Sequence, residues 1–499
     1  MKKYFLVLLL LILAFSIVNP LSESATTRHA FAASPELRAF WVDMFHNGAK
    51  TPAQVDQLLQ DVKRSNANAI FVQVRRRGDA YYNNSLEPRT EDPALPAGYD
   101  PLQDLIQKAH ASSPRIEVHA WFAMMPIWNS STPPKAPNHV FNQHGFSRTG
   151  RDMWLSKNYS GSYVSGSDYV IDPGNPDAAD YTINVVKHVA ANYNIDGVHM
   201  DLIRYMGSDW GYNPTSVQRF NQRYGRTGTP SPGDETWKAW RREQVNLLVQ
   251  KMYVNLLAIK PNLVVSAATI AWGNGPKTIE EYNASATMNS ALQDWNHWLQ
   301  NGWIDLAVPM NYFREHDSSQ RTWYENWLAW EKDHQYGRKI SSGTGVYLNS
   351  ISNGLTQIRK AQQPSAAGNR LAGVHIYSYA VTNKDGVANS EFYNALSQPS
   401  QYDSQTPVFA EQVAPPSYSW KTNPTKGHLA GSVLHTDGTI SDHEAVVIRG
   451  PQTKTVYTDG SGDFQAIDLS PGTYTVTSGS ASKVVTITAG KVSSATLTN

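Results

Sequence analysis

The sequence predicts a (β/α)8 TIM barrel followed by a small all-β sandwich, and three observations predict it. Between residues 35 and 397, apolar β-rich runs alternate with longer helix-compatible segments, the pattern of a parallel sheet with crossover helices. Eight such runs are present, in a span within the ~200 to 400 residues that a barrel occupies. Beyond residue 427 the runs shorten and Asp-Gly turns separate them, the signature of a sandwich. The 499 residues also exceed the ~300 that one core reaches, so two folded units are expected.

In chain order, Lys2 and Lys3 precede an apolar run from Phe5 to Val18, and Ala30-Phe31-Ala32 offers a small-residue cleavage site. Residues 1–32 therefore read as a secretory signal peptide, because the run is shorter than the ~20 residues a membrane span needs. The barrel, residues 33–397, has expected strands at Leu37–Val42, Ala69–Val74, Ile116–Phe122, Gly197–Asp201, Leu263–Ile270, Ile304–Met310, Ile340–Tyr347 and Val374–Tyr379. An open doubly wound sheet is the competing fold, but no glycine-rich phosphate loop follows any of these strands. Long connections run from Phe122 to Ile195 and from Tyr205 to about Glu235. Barrel active sites are built from loops leaving the C-terminal strand ends, so two enlarged neighbours there predict a deep cleft for an extended substrate. Residues 398–426 carry Pro399, Pro407, Pro415, Pro416 and Pro424 among Ser, Thr and Gln and read as a linker. Residues 427–499 hold the short segments Glu444–Ile448, Thr473–Thr477 and Lys483–Thr488, and their Asp459, Asp463 and Asp468 are expected as turn residues rather than calcium ligands.

Composition narrows the function. The 43 basic and 42 acidic side chains nearly cancel, so no electrostatic footprint for nucleic acid is present. Without residues 1–32 the counts are 40 and 41, close to neutral. Zero cysteines exclude disulfides, thiolate metal sites and a cysteine nucleophile. No second apolar stretch spans a membrane, so a secreted protein, extracellular or in the cell envelope, is expected. Fifteen Trp and 25 Tyr in a chain only 17% charged supply flat amphipathic surfaces, and sugars are one ligand class that stacks on them.

Carboxylates at the C-terminal ends of strands are the candidates for chemistry. Asp43 ends the first strand, Asp79 follows the second, Asp201 ends the fourth, and Glu315 and Asp317 follow the sixth. Asp196 and Asp305 precede their strands and belong to the opposite, structural face. Alternation along Gly197–Asp201 puts His199 and Asp201 on one face and Val198 and Met200 on the other. With Val198 and Met200 on the helices, His199 and Asp201 point into the barrel mouth. Arg204 follows closely enough to hold Asp201 ionised, and a low-pKa carboxylate suits a nucleophile in glycoside cleavage.

Leu37-Arg-Ala-Phe-Trp-Val-Asp43, Phe71-Val-Gln-Val-Arg75, His119-Ala-Trp-Phe122, Ile195-Asp-Gly-Val-His-Met-Asp201 with Arg204-Tyr205, and Pro309-Met-Asn-Tyr312 together resemble the glycosyl hydrolase-like 10 family. These are exported bacterial barrel proteins distantly related to α-amylase and α-galactosidase-type hydrolases. The resemblance implies a glycosidase without a cofactor, acting on a polysaccharide, with peptidoglycan glycan strands favoured, and it carries the nucleophile role onto Asp201. One departure stands out: Val264–Asn274, at the fifth strand, holds no carboxylate where the amylase-type acid would be. The acid is then expected from Glu315, set among Tyr312, Phe313 and His316, or from Asp79, beside Gly78 and Arg75–Arg77, with Asp317 also open. Substrate contacts are expected from Trp41, Asp43, Arg75, His119, Trp121, His199, Arg204, Trp272, Asn311, Tyr312 and Tyr379. In the C-terminal module, Thr458–Phe464 and Leu469–Thr475 resemble carboxypeptidase-regulatory-like β-sandwiches, which implies a spacer or binding module and cell-wall association. Two other readings compete. A metal-dependent polysaccharide deacetylase or amidohydrolase would use His119, His199 and Asp201, although no His-x-His or His-Glu-x-x-His pair is present. A polysaccharide-binding protein would have kept the cleft and lost the acid.

Overall fold

Residues 34–499 are described by the structure, a computed structural model; the expected signal peptide lies outside the described residues. Eight parallel strands close a barrel in the order β1-β8-β7-β6-β5-β4-β3-β2: β1 Leu37–Val42, β2 Ala69–Arg75, β3 Glu117–Ala123, β4 Gly197–Asp201, β5 Val264–Thr269, β6 Leu306–Asn311, β7 Lys339–Gly345 and β8 Gly373–Tyr377. Every expected strand is present, with boundaries within two residues. The strands are buried on both faces, which is why they read as nearly continuous apolar runs. Period-2 alternation sorts their side chains. Leu37, Ala39, Trp41, Phe71, Trp121, Leu306 and Val308 fill the interior, while Phe40, Val42, Ile70, Val72, Val198 and Met200 pack outward on the helices. Gly197 opens β4 because a Cβ there would overlap the His119 ring. The helices begin where a capping side chain meets a proline of fixed φ, at Thr51-Pro52, Asp100-Pro101, Asn175-Pro176 and Asn213-Pro214.

The long connection after β3 folds into a three-stranded sheet of Pro126–Trp128, Val164–Ser165 and Asp168–Val170, with a short helix at Val140–His144. The one after β4 carries the helix Pro214–Tyr224 ahead of Glu235–Ile259. Residues 398–426 are laid across the N-terminal end of the barrel. The Glu36 N–H donates to Ala414 O at 3.0 Å, and Tyr418 is buried against the interior residues. Trp420 Nε1 donates to Asp305 at 2.7 Å. Asp305 also accepts from Val265 N–H, and Asp196 pairs with His110 and Arg115, so both lie at the N-terminal strand ends as alternation requires.

The C-terminal module is a sandwich of two sheets. Its strands are β9 Gly427–Leu434, β10 Ala445–Arg449, β11 Thr453–Tyr457, β12 Asp463–Leu469, β13 Gly472–Ser478, β14 Ala481–Ile487 and β15 Val492–Thr498, in the orders β12-β9-β15 and β11-β10-β13-β14. Leu429, Ile448, Phe464, Tyr474 and Leu497 are among the residues packed between the sheets. Its aspartates meet cations of the barrel. Asp459 and Asp463, with Asp180, surround the Lys251 ammonium, and Asp468 pairs with Arg338 at 2.9 Å. Asp442 accepts from Arg219 at 2.7 and 2.9 Å. Among the described residues, no helix is long and apolar enough to cross a membrane.

Candidate active site

At the C-terminal ends of the strands a cavity of about 360 Å³ opens, lined by Trp41, Gln73, Trp121, Asp201, Met310, Tyr312 and Tyr377 from the barrel. Phe45, Arg76, Arg77, Asp168, Arg204, Trp272 and Tyr347 come to it from the loops. Its aromatic wall is continuous. Tyr312 and Tyr377 stack at 5.3 Å between centroids, Tyr347 meets both edge-on, and Trp41 lies edge-on to the pair. Trp272, 40% exposed, lies under the Arg204 guanidinium at 5.1 Å.

Asp201 lies at the floor. Its Oδ2 accepts from Trp121 Nε1 at 3.1 Å and its Oδ1 from the Leu202 N–H at 2.7 Å. Leu202 adopts φ +53°, a left-handed conformation costing a non-glycine residue roughly 1–2 kcal/mol, and this turn aims its N–H back at the carboxylate. Burial raises the Asp201 pKa; the Leu202 N–H, the Arg204 charge and the Trp121 N–H pull it back without cancelling the rise. This corrects the expectation that Arg204 keeps Asp201 strongly ionised. Arg204 makes no ion pair with it and instead donates to Tyr205 O at 3.0 Å. The favoured form of Asp201 is shifted toward the protonated acid.

The second cavity-lining carboxylate is Asp168, from the hairpin inserted after β3, which accepts from Arg77 Nε at 2.6 Å. Glu315 is elsewhere. It pairs with Lys360, which also holds Glu325, on the flank of the barrel. Asp317 caps the helix Ser318–Asp333 by accepting from Ser319 and Gln320 N–H. Asp79 accepts from Arg77 N–H at 2.9 Å and lines a separate cavity, also about 360 Å³, that shares Phe45, Arg76 and Arg77 with the first.

Of the expected substrate contacts, Trp41, Trp121, Arg204, Trp272 and Tyr312 line the cavity. His119 and His199 do not; they plug the barrel beneath it. His199 Nε2 accepts from Trp41 Nε1 at 3.0 Å, which places its proton on Nδ1, facing Ser266 Oγ at 2.9 Å. Burial drives its pKa well below the usual value, so it is a neutral prop for Trp41. His119 stacks on Phe71 at 4.1 Å. Arg75 follows an irregularity in the β2–β3 ladder and turns into a fully buried pair with Glu87. Asn311 faces outward, donating to Glu331 and Ser342. Tyr379 lies past the end of β8 and donates to Asp61 at 2.8 Å. Asp43, buried, accepts from Phe45 and His46 N–H and so fixes the loop that presents Phe45.

A profile of the glycosyl hydrolase-like 10 family matches residues 36–361, which include seven of the eight barrel strands and the whole floor around Asp201. The chain belongs to that family. Two relatives are "Glycosyl hydrolase YngK" of Bacillus subtilis, 27% identical over 300 residues, and "Glycosyl hydrolase DigH" of Escherichia coli, 28% identical over 304 residues. Each match covers 56% of this chain, and the chain spans 54% and 62% of those two proteins. Among solved structures, the PgaB (BpsB) glycoside hydrolase domain from Bordetella bronchiseptica matches with a TM-score of 0.50 and 15% identity. That match covers 74% of this chain and 100% of that domain. At that identity the likeness is one of fold.

In this member of the family, sequence reasoning missed Phe45, Arg76, Arg77, Asp168, Tyr347 and Tyr377. Arg76 and Arg77 lie within Gln73–Asp79 at the end of the second strand, and Tyr377 ends β8, two residues short of the expected Tyr379. Asp168 had no signal: it reaches the cavity from 91 positions beyond its partner Arg77.

Proposed function

We propose that this chain is an exported glycoside hydrolase that cleaves a cell-wall or extracellular polysaccharide, with peptidoglycan glycan strands the favoured substrate. The observation that carries the reading is Asp201: a carboxyl with a burial-raised pKa at the floor of an aromatic-walled cavity. That setting suits a proton donor to a leaving glycosidic oxygen. Asp168, held by Arg77, supplies the second carboxylate of a two-carboxylate mechanism. The rings of Tyr312, Tyr377, Trp41 and Trp272 form the surfaces on which sugars stack. Family membership supports the activity; the Lys2-Lys3 and apolar N-terminal pattern supports export. The β-sandwich, in its resemblance to carboxypeptidase-regulatory-like modules, would serve as a spacer or a cell-wall contact.

Reducing-end release from intact peptidoglycan, peptide-stripped glycan strands, chitin and common α- and β-glucans tests this. Turnover of one polymer that falls ~10²–10⁴-fold in Asp201→Asn is the expected result. Binding of a polymer by both proteins with turnover by neither would instead establish a polysaccharide-binding protein, which the tying of Asp168 to Arg77 favours as the second reading. The metal-dependent reading gains no donor set at the cavity, since both nitrogens of His199 are engaged beneath the floor. Among the described residues, the carboxylates close enough to share an ion are Asp180, Asp459 and Asp463, and Lys251 occupies their centre.

A further inference from the structure

The cavity wall is richer in cations than its carboxylates can neutralise. Arg76, Arg77 and Arg204 line it against Asp201 and Asp168. Arg77 is spent on Asp168 at 2.6 Å. Arg76 and Arg204 form no ion pair with any described residue, and the Nε of each is buried without a hydrogen-bond partner. Both lie over aromatic rings, Arg76 over Phe45 at 3.9 Å and Arg204 over Trp272 at 5.1 Å. Arg204 Nη1 donates to Tyr205 O, but neither guanidinium has a counter-charge; a guanidinium partly removed from water without one is costly unless an anion completes it, and its planar fork matches a carboxylate in two parallel hydrogen bonds. Arg76 stands where the main cavity meets the adjoining one, so a polymer passing from one to the other runs over it. The other cations of that second cavity are already committed. Lys50 pairs with Asp92 at 2.8 Å, and Arg89 donates to Pro96 O and Tyr99 O.

We infer that the glycan this site takes is acidic, and that a sugar carboxylate close to the scissile bond docks on the guanidinium groups of Arg76 and Arg204. The inference rests on the glycan reading above and names its substrate class. Two sources supply such a carboxylate: the lactyl ether of peptide-stripped peptidoglycan strands, and the C6 acid of a polyuronate. Oligosaccharides of each kind, with twins whose carboxyls are reduced to alcohols, form the arms of the test. Binding is measured by titration calorimetry on Asp201→Asn, which separates recognition from turnover, and cleavage on the native enzyme.

The acid form of one arm should bind roughly tenfold to a hundredfold more tightly than its reduced twin. Arg76→Gln in the same background should abolish most of that difference while leaving the affinity for the reduced twin unchanged, and Arg76→Lys should restore part of it. In otherwise native enzyme, Arg76→Gln should raise KM for the acidic substrate with kcat little altered. Equal affinity for acidic and reduced twins in both arms, binding of none of them, or a loss in Arg76→Gln that is the same on both twins would overturn the inference. Carboxylate-dependent binding without turnover by the native enzyme would leave it standing and remove the catalytic reading. Turnover indifferent to the carboxylate would do the reverse.

Discussion

Replacing Trp121 with phenylalanine tests the role of Asp201 directly. The indole donates to Asp201 Oδ2 at 3.1 Å, one of two N–H groups that stabilise the ionised carboxylate against burial. Phenylalanine keeps an apolar ring in the wall and removes the donor. A hydrogen bond to a charged group contributes about 1.5–3 kcal/mol, so losing this donor should raise the Asp201 pKa further. The assay is the pH dependence of kcat/KM, which reports ionisations of the free enzyme. If Asp201 donates a proton, the alkaline limb of the profile moves to higher pH; if it attacks as a carboxylate, the acid limb moves the same way. The expected outcome is the alkaline limb, because burial favours the protonated form. A folded variant with lower activity but both limbs unmoved would refute the reasoning, since Asp201 would then not be the group whose titration governs turnover.

Three further outcomes are expected. Glu315→Gln should leave kcat/KM within about twofold, because Glu315 is engaged with Lys360 on the barrel flank; removing the charge of this buried carboxylate should cost ~1–3 kcal/mol, read from a urea midpoint. Glu331, buried behind β6 with Asn311 as its partner, has its pKa pushed by burial from the ordinary 4.5 to about 8. Its raised value means stability is full below pH ~4.5 and is lost as pH rises through about 8, by up to ~5 kcal/mol, so Glu331→Gln should flatten the fall in urea midpoint between pH 5 and pH 9. Glu87→Gln strips the counter-charge from the fully buried Arg75 and should destabilise the fold by ~3–5 kcal/mol. It should also lower activity, because Arg75 donates to Ala123 O and Met124 O and so sets the end of β3; unchanged thermal stability would contradict the account.

The barrel was legible because strand burial writes itself into local sequence. Runs such as Ala69–Val72 are apolar on both faces only where helices cover one side and a barrel interior the other. The same period of two placed His199 and Asp201 on the interior face of β4, and applied to β6 it would have turned Asn311 outward, as found. It does not give depth. His199 and Asp201 share a face, yet one is a sealed prop inside the barrel and the other is the floor of the cavity.

By itself, then, the sequence determined the eight strands, the appended sandwich and the position of Asp201, all of which depend on local hydrophobic periodicity and on strand ends. Only the tertiary structure decided three further matters: the direction of the Asp201 shift, the exclusion of Glu315 and Asp79 from the cavity, and the arrival of Asp168 beside Arg77. Each depends on how much water reaches a group and which distant segment faces it. Arg204 lies three residues from Asp201 in sequence, but burial outweighs its charge, because removing a carboxyl from water penalises its ionised form more than an unbonded cation nearby rewards it.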